Sequence, residues 1–138
     1  MKRCRKMTKA KKTRSLFTFI EKNMEQGLII EDMSKRIKSL LAKLKSGLAE
    51  LYGPRLKAVI LFGSYARGDY NKNSDLDVLI VLDSYKSRWD ELVRSAELAS
   101  DLSLEYNVTI SRTIMSEEQW KKGDLPLLAN VRAEGIAA

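Results

Sequence analysis

The segment Val59–Asp83, VILFGSYARGDYNKNSDLDVLIVLD, decides the fold of this chain. It contains two short apolar runs with the composition and length of β-strands, joined by a polar loop rich in Gly, Asp and Asn. The second run is apolar at nearly every position after Asp77. Such a pattern is typical of a strand that is buried on both faces, so we expect this strand to lie in the centre of its sheet.

Two carboxylates stand at the start of the second strand. Asp75 and Asp77 are two residues apart, and because side chains alternate along a strand we expect both on the same face. The chain contains no histidine, which excludes Ser-His and Cys-His nucleophiles and every His-based zinc site. A metal would therefore be held by oxygen ligands, which favours Mg²⁺ or Mn²⁺ in a phosphoryl-transfer site.

A Gly-Ser turn follows the first strand. Gly63 lets the backbone turn sharply and lets a ligand approach closely. We expect the next residues to begin a helical turn whose free N–H groups could bind phosphate. Ser64 adds a hydroxyl, and Arg67 adds a cation suited to phosphate oxygens. Each feature alone is common at turns or surfaces, but together with the Asp pair they indicate a metal–phosphate site.

Helical and strand patterns flank this unit. Apolar residues recur at spacings of three and four from Met33 to Tyr52, which predicts an amphipathic helix that packs on the core rather than on a membrane. The later predicted elements are a long helix capped by Ser84 with Trp89 on its apolar face, a strand in Asn107–Met115, a short helix opened by the Ser116 capping box, and a last helix in Leu127–Arg132. This order predicts an α/β fold, or α+β, with helices packed on a small sheet.

The net charge of +7 is concentrated at the N-terminus. Residues 1–15 carry eight Lys or Arg and no acid, whereas the rest of the chain carries 17 basic and 18 acidic residues. A dense run of like charge is typical of disorder. We therefore predict a basic, disordered extension in residues 1–30, with one short helix as an alternative, and a folded domain in residues 31–138. The extension is a solvated tail, an arm that binds nucleic acid, or a stretch upstream of a natural start at Met24 or Met33.

The composition also indicates the compartment. No run of about 18 apolar residues is present to span a membrane, and the N-terminus lacks the apolar stretch and cleavage site of a secretory signal. The only cysteine is Cys4, so an internal disulfide framework is excluded. We therefore expect a cytoplasmic protein with no membrane association.

The central segment resembles the nucleotidyltransferase superfamily that includes DNA polymerase beta, and within it the minimal nucleotidyltransferases. Their signature is Gly-Ser followed, after a spacer, by Asp-x-Asp on the next strand. Here Gly63-Ser64 and Asp75-Leu76-Asp77 are separated by ten residues, and Ala66-Arg67-Gly68 and Ser74 match as well. The resemblance is strong over residues 58–83. It is looser over residues 84–136, where it rests on element order and the closing Asn-Val-Arg-Ala-Glu-Gly-Ile.

The resemblance implies a polymerase beta palm-like sheet and magnesium-dependent transfer of a nucleoside monophosphate, AMP from ATP for example, with pyrophosphate leaving. It implies that Asp75 and Asp77 bind metal and that Gly63 and Ser64 hold the triphosphate. Small members are often antitoxins encoded beside a HEPN-type toxin, and some silence that toxin by adenylylating a tyrosine. The resemblance therefore implies a HEPN-type protein partner encoded by an adjacent gene.

One departure from the family leaves the activity open. Active members carry a third carboxylate on a neighbouring strand, and the strand predicted in Asn107–Met115 contains no acid. Glu105, just before that strand, is the candidate third metal ligand; otherwise this ligand is missing. Three functions stay open: a nucleotidyltransferase acting on a protein partner, a non-catalytic module that neutralises a partner by binding, and a nucleic-acid-associated protein that uses its basic tail.

Overall fold

The structure, a computed structural model, describes residues 15–25 and 34–138. Its helices are α1 (Leu16–Glu25), α2 (Lys35–Tyr52), α3 (Ser64–Arg67), α4 (Arg88–Arg94), α5 (Ala96–Tyr106), α6 (Glu117–Lys122) and α7 (Pro126–Glu134). Its strands are β1 (Leu56–Phe62), β2 (Leu76–Leu82), β3 (Ile110–Ser116) and β4 (Ile136–Ala137). None of the described helices is both long and apolar enough to cross a membrane.

The four described strands form one mixed sheet in the order β3-β2-β1-β4. Strand β2 pairs antiparallel with β1 and parallel with β3, so it is an internal strand, as its continuous apolar sequence predicts. Strand β4 pairs antiparallel with the other side of β1. The predicted α/β sheet with helices packed on it is confirmed.

Alternating side chains of the sheet supply two separate cores. One face of β1 and β2 packs against α2 and α5. The other face packs against α1, α6 and α7. Along β2, Val78 and Ile80 belong to the first core, whereas Leu79 and Val81 belong to the second. Asp77 has the same parity as Leu79, so its side chain lies on the face that α7 covers.

The helix after β2 differs from the sequence expectation. It begins at Arg88, where the Ser87 side chain accepts a hydrogen bond from the Asp90 N–H, rather than at Ser84. The segment is then divided into α4 and α5 at Ser95, whose buried hydroxyl donates to carbonyls of the preceding turn. The side chain of Trp89 is 71% exposed. The prediction that it lies on the buried apolar face of this helix is therefore wrong.

The N-terminal extension is not disordered throughout. Residues 16–25 form α1, and Leu16 and Phe19 are buried in the second core, with Phe19 making an edge contact with Trp120 at a ring-centroid distance of 5.3 Å. The short helix that the sequence offered as an alternative is therefore present, and its apolar side chains pack on the core despite the basic run before them. The predicted disorder of residues 1–14 and 26–30, and the nucleic-acid role of the basic tail, concern segments outside the described residues.

The packing of α1 can be tested with a matched pair of substitutions. Phe19→Ala is expected to reduce the free energy of unfolding by about 3 kcal/mol, because it removes a buried aromatic ring and leaves a cavity beside Trp120. Phe17→Ala, two residues away on a side chain that is 69% exposed, is expected to change it by less than about 0.5 kcal/mol. Urea unfolding of both variants measures the difference, and equal stability would show that α1 is not docked.

Candidate functional site

The turn between β1 and α3 has a backbone conformation that favours glycine. Gly63 adopts φ 77° and ψ −157° and serves as the N-cap of α3. Non-glycine residues almost never adopt this region, because a side chain would clash with the neighbouring peptide groups. The conformation reverses the chain at the end of β1 and starts α3 with Ser64 immediately after the strand.

The two acids lie at the adjoining end of β2. Asp77 pairs with Phe62 in the antiparallel register, and Phe62 immediately precedes Gly63. The two residues are packed so closely that a Cβ added to Gly63 would collide with the Asp77 carboxylate and lie 3.2 Å from its Cγ. Asp75 precedes β2 and is exposed. The structure thus brings the Gly-Ser turn and the Asp-x-Asp pair together at one corner of the sheet, as the sequence predicts.

The charges at this corner are unbalanced. Burial raises the pKa of Asp77, and the negative charge of Asp75 raises it further. The nearby Arg67 guanidinium lowers the pKa of Asp77, whereas Glu134 raises it. Asp75 and Glu134 thus add negative charge beside Asp77, which favours the approach of a cation to this carboxylate.

Arg67 and Gly63 share a carboxylate that the sequence analysis did not identify. Glu134, in the last turn of α7, accepts the Gly63 N–H through Oε1 at 3.1 Å. Its Oε1 and Oε2 also accept from Arg67 Nη1 at 3.0 and 3.2 Å. The Arg67 Nε donates to Asp69 at 3.2 Å, so two carboxylates fix the guanidinium. The hydrogen bonds that Arg67 donates to Asp69 and Glu134 raise the pKa of Arg67 and keep it charged.

The loop between α3 and β2 has its own internal support. Tyr65, which is buried, stacks on Tyr70 with ring centroids 4.1 Å apart. The Asn71 side chain accepts the Asn73 N–H at 2.8 Å, and the Ser74 hydroxyl accepts the Asn71 N–H at 3.0 Å. These contacts define the course of the loop up to Asp75.

Glu105 does not join this group. It lies in the last turn of α5, where its carboxylate accepts a hydrogen bond from Lys43 Nζ at 2.7 Å, and that bond raises the pKa of Lys43. Glu105 is exposed and is not among the charged neighbours of Asp77. The structure therefore does not bring Glu105 together with Asp75 and Asp77, and its role as a third metal ligand stays a prediction. In residues 15–25 and 34–138 no group of three or more His, Cys, Asp or Glu is arranged to hold a metal.

Glu134 was not predicted, because the third acid was expected on or just before β3. The strand residue that faces Asp77 in the parallel register is Ser111, a hydroxyl. The sequence did contain one signal for Glu134: it lies in the closing segment, residues 130–136, which resembles the family. Only the pairing of β4 with β1 places the end of α7 beside the Gly63 turn.

Comparison with known proteins agrees with this arrangement. A model of the nucleotidyltransferase domain family matches residues 41–130. A candidate protein adenylyltransferase of Methanocaldococcus jannaschii is 42% identical over 102 residues, which covers 73% of this chain and 92% of that protein. A second candidate protein adenylyltransferase of the same organism is 39% identical over 75 residues, covering 54% of this chain and 75% of the relative.

Solved structures with a related fold are more distant. A nucleotidyltransferase candidate from Sulfolobus solfataricus is 21% identical, with a TM-score of 0.46, and the match covers 75% of this chain and 86% of the other. A toxin–antitoxin crystal structure with AMP-PNP is also 21% identical, with a TM-score of 0.46, and 68% of each chain is covered. Similarities of this size carry no inference about substrate or partner.

Proposed function

Because this chain belongs to the nucleotidyltransferase domain family, we propose that it transfers AMP from ATP to a protein partner. The observation that carries the proposal is the contact between Gly63 and Asp77, which places a glycine turn against a carboxylate at one corner of the sheet. Phosphoryl-transfer sites need both a phosphate-binding backbone and carboxylates that hold divalent ions.

The turn supplies the groups that would bind the triphosphate. The Ser64 hydroxyl and the N–H groups at the start of α3 lie next to Gly63, where the glycine leaves the backbone accessible. Arg67 is charged and partly exposed, and its Nη2 makes none of the hydrogen bonds described above. It can therefore donate to a phosphate oxygen while its other nitrogens stay bound to Asp69 and Glu134.

Asp75 and Asp77 fit a divalent cation, Mg²⁺ or Mn²⁺. Their donors are carboxylate oxygens. Burial and the charge of Asp75 raise the pKa of Asp77, and a bound cation would stabilise both ionised carboxylates. Members of this family typically use a nucleoside triphosphate and a divalent metal. Such an ion, when bound, neutralises phosphate charge and lowers the pKa of the attacking hydroxyl.

The acceptor in this proposal is a tyrosine hydroxyl of a protein. The bond between the α-phosphorus and pyrophosphate breaks, a bond from that phosphorus to the tyrosine oxygen forms, and the hydroxyl proton passes to solvent. The relatives named as candidate protein adenylyltransferases support a protein acceptor. A HEPN-type toxin encoded by an adjacent gene, inactivated in the cytoplasm by this modification, is the partner we propose from the family resemblance.

A second candidate function has one specific observation in its favour. No third carboxylate completes a metal site with Asp75 and Asp77 in the described residues. A protein that binds the metal-bound nucleotide with two ligands, but activates the acceptor poorly, would act as a module that neutralises its partner by contact. The two functions differ in whether the partner leaves the complex covalently modified.

The test is a transfer assay with the chain and the protein encoded beside its gene. With ATP labelled on the α-phosphate and with Mg²⁺, the partner is expected to gain label and the mass of one AMP. Label on the γ-phosphate is expected to leave with pyrophosphate. Asp75→Asn is expected to abolish the transfer, whereas Glu105→Gln, at the exposed carboxylate bound to Lys43, is expected to leave it unchanged.

The outcomes separate the two functions. Tight binding of the partner without label transfer would contradict the proposed activity and support the binding module. Loss of label transfer in Glu105→Gln would restore Glu105 as a member of the site and contradict the position described above.

A further inference from the structure

We propose that Glu134 is a positioning residue for nucleotide binding, which holds the Gly63–Arg67 turn in place from the last turn of α7. The inference rests on the proposed function for its role, but the brace itself is a property of the nucleotide-free protein. Glu134 does not touch the reacting atoms in this interpretation; it acts through Gly63 and Arg67.

The brace joins the two ends of the turn. A single oxygen, Glu134 Oε1, accepts both from the N–H of Gly63, which precedes α3, and from Nη1 of Arg67, its last residue. A four-residue helix has few internal hydrogen bonds to define its orientation. A carboxylate that binds before and after it therefore fixes the angle at which α3 leaves β1. Because both donors are held by a charged acceptor, these hydrogen bonds are stronger than neutral ones.

The chain holds Glu134 in place from both sides. On one side, Val131 of α7 is fully buried in the second core. On the other side, Gly135 is packed so tightly that a Cβ would lie 2.9 Å from Ile60 and 3.1 Å from Phe19. Ile136 then pairs with Leu61 of β1. The carboxylate is thus carried on a rigid connection to β1, the strand that leads into the turn.

The same geometry argues against the alternative that Glu134 competes with phosphate for the Gly63–Arg67 turn. Glu134 binds the N–H of Gly63, whereas the N–H groups of α3 that would face phosphate come after it. Arg67 keeps a second terminal nitrogen for a ligand while Nη1 is bound. The Glu134 side chain is only 20% exposed, so it is mainly covered by the protein rather than projecting into solvent.

The experiment compares Glu134→Ala with Glu134→Gln, whose side-chain oxygen can still accept from both donors. In the nucleotide-free protein, the Gly63 amide is expected to exchange its hydrogen faster in Glu134→Ala and at a near-normal rate in Glu134→Gln. Calorimetry with Mg–ATP is expected to show affinity weakened about tenfold in the alanine variant and within about threefold of the original in the glutamine variant.

Asp69→Ala is the matched control, because Asp69 binds the same arginine through Nε but does not reach Gly63. It is expected to leave the exchange rate of the Gly63 amide unchanged, because its hydrogen bond ends at the Arg67 guanidinium. An unchanged exchange rate of the Gly63 amide in Glu134→Ala would contradict the positioning role of Glu134. Tighter Mg–ATP binding in this variant would show that Glu134 competes with phosphate for the turn. If the unsubstituted chain does not bind Mg–ATP, the proposed function fails, while the exchange measurement still decides the brace.

Discussion

Asp77→Asn is expected to weaken Mg–ATP binding by about a hundredfold or more while making the nucleotide-free protein more stable. Asp77 is partly buried, and its carboxylate fills the space that a Cβ at Gly63 would occupy. Loss of an outer partner of a metal ligand typically costs ten- to hundredfold in metal affinity, and loss of a ligand costs more. The amide keeps the size of the carboxylate but removes its charge.

The gain in stability follows from the pKa of Asp77. Burial and the charge of Asp75 raise this pKa above that of the unfolded chain, so the folded protein holds the proton more tightly. Above the raised pKa, ionised Asp77 therefore destabilises the fold. As the pH falls through that pKa, the destabilisation is lost. The stabilising effect of Asp77→Asn is thus expected at neutral pH and should disappear on acidification towards the unfolded pKa.

Thermal unfolding at neutral and acidic pH, combined with calorimetry, measures both effects. Asp83→Asn is the matched control, since Asp83 follows the other end of β2, is exposed and pairs with Arg55. It is expected to retain Mg–ATP affinity and to lose a little stability rather than gain it. An Asp77→Asn protein that binds Mg–ATP normally would remove this residue from the site.

Gly63→Ala is expected to abolish Mg–ATP binding in a protein that still unfolds cooperatively. Two effects combine at this position. The backbone angles, φ 77° and ψ −157°, cost a non-glycine residue about 1–3 kcal/mol. In addition, the new methyl group would occupy the space of the Asp77 carboxylate and displace it. The substitution therefore moves a candidate metal ligand as well as the phosphate-binding turn.

Gly68→Ala separates these two effects. Gly68 also has a positive φ of 86°, but a Cβ there would have nothing within 4 Å. We expect Gly68→Ala to lower the free energy of unfolding by about 1 kcal/mol and to retain most of the Mg–ATP affinity. If both alanine variants bound Mg–ATP equally well, the contact between Gly63 and Asp77 would have no functional consequence.

The sequence predicts the centre of this fold well because its signals there are local. The apolar run after Asp77 predicts a buried strand, and β1 and β2 are consecutive strands of the chain, which favours their pairing. That pairing alone brings Gly63 to Asp77. The composition of one continuous segment therefore contains most of the information that positions these two residues.

The features that sequence reasoning missed depend on distant packing. Glu105 is close to β3 in the chain, but the orientation of α5 directs it to Lys43 on α2. Glu134 is far from Gly63 in the chain, and only the docking of α7 and β4 brings them together. The short helix α1 was only an alternative in the sequence, because the packing of its apolar side chains depends on distant residues such as Trp120.

The hydrogen bond between Gly63 and Glu134 joins residues 71 positions apart, so we expect the nucleotide-binding turn to reach its final geometry late in folding. Contacts between distant parts of a chain form late, because the entropy of closing a long loop must be overcome first. During synthesis, a nascent chain that has just exposed β1 and β2 has its acids and its glycine turn but lacks the brace. We expect full nucleotide affinity only after α7 has emerged, so that partly synthesised chains bind ATP more weakly than the complete fold.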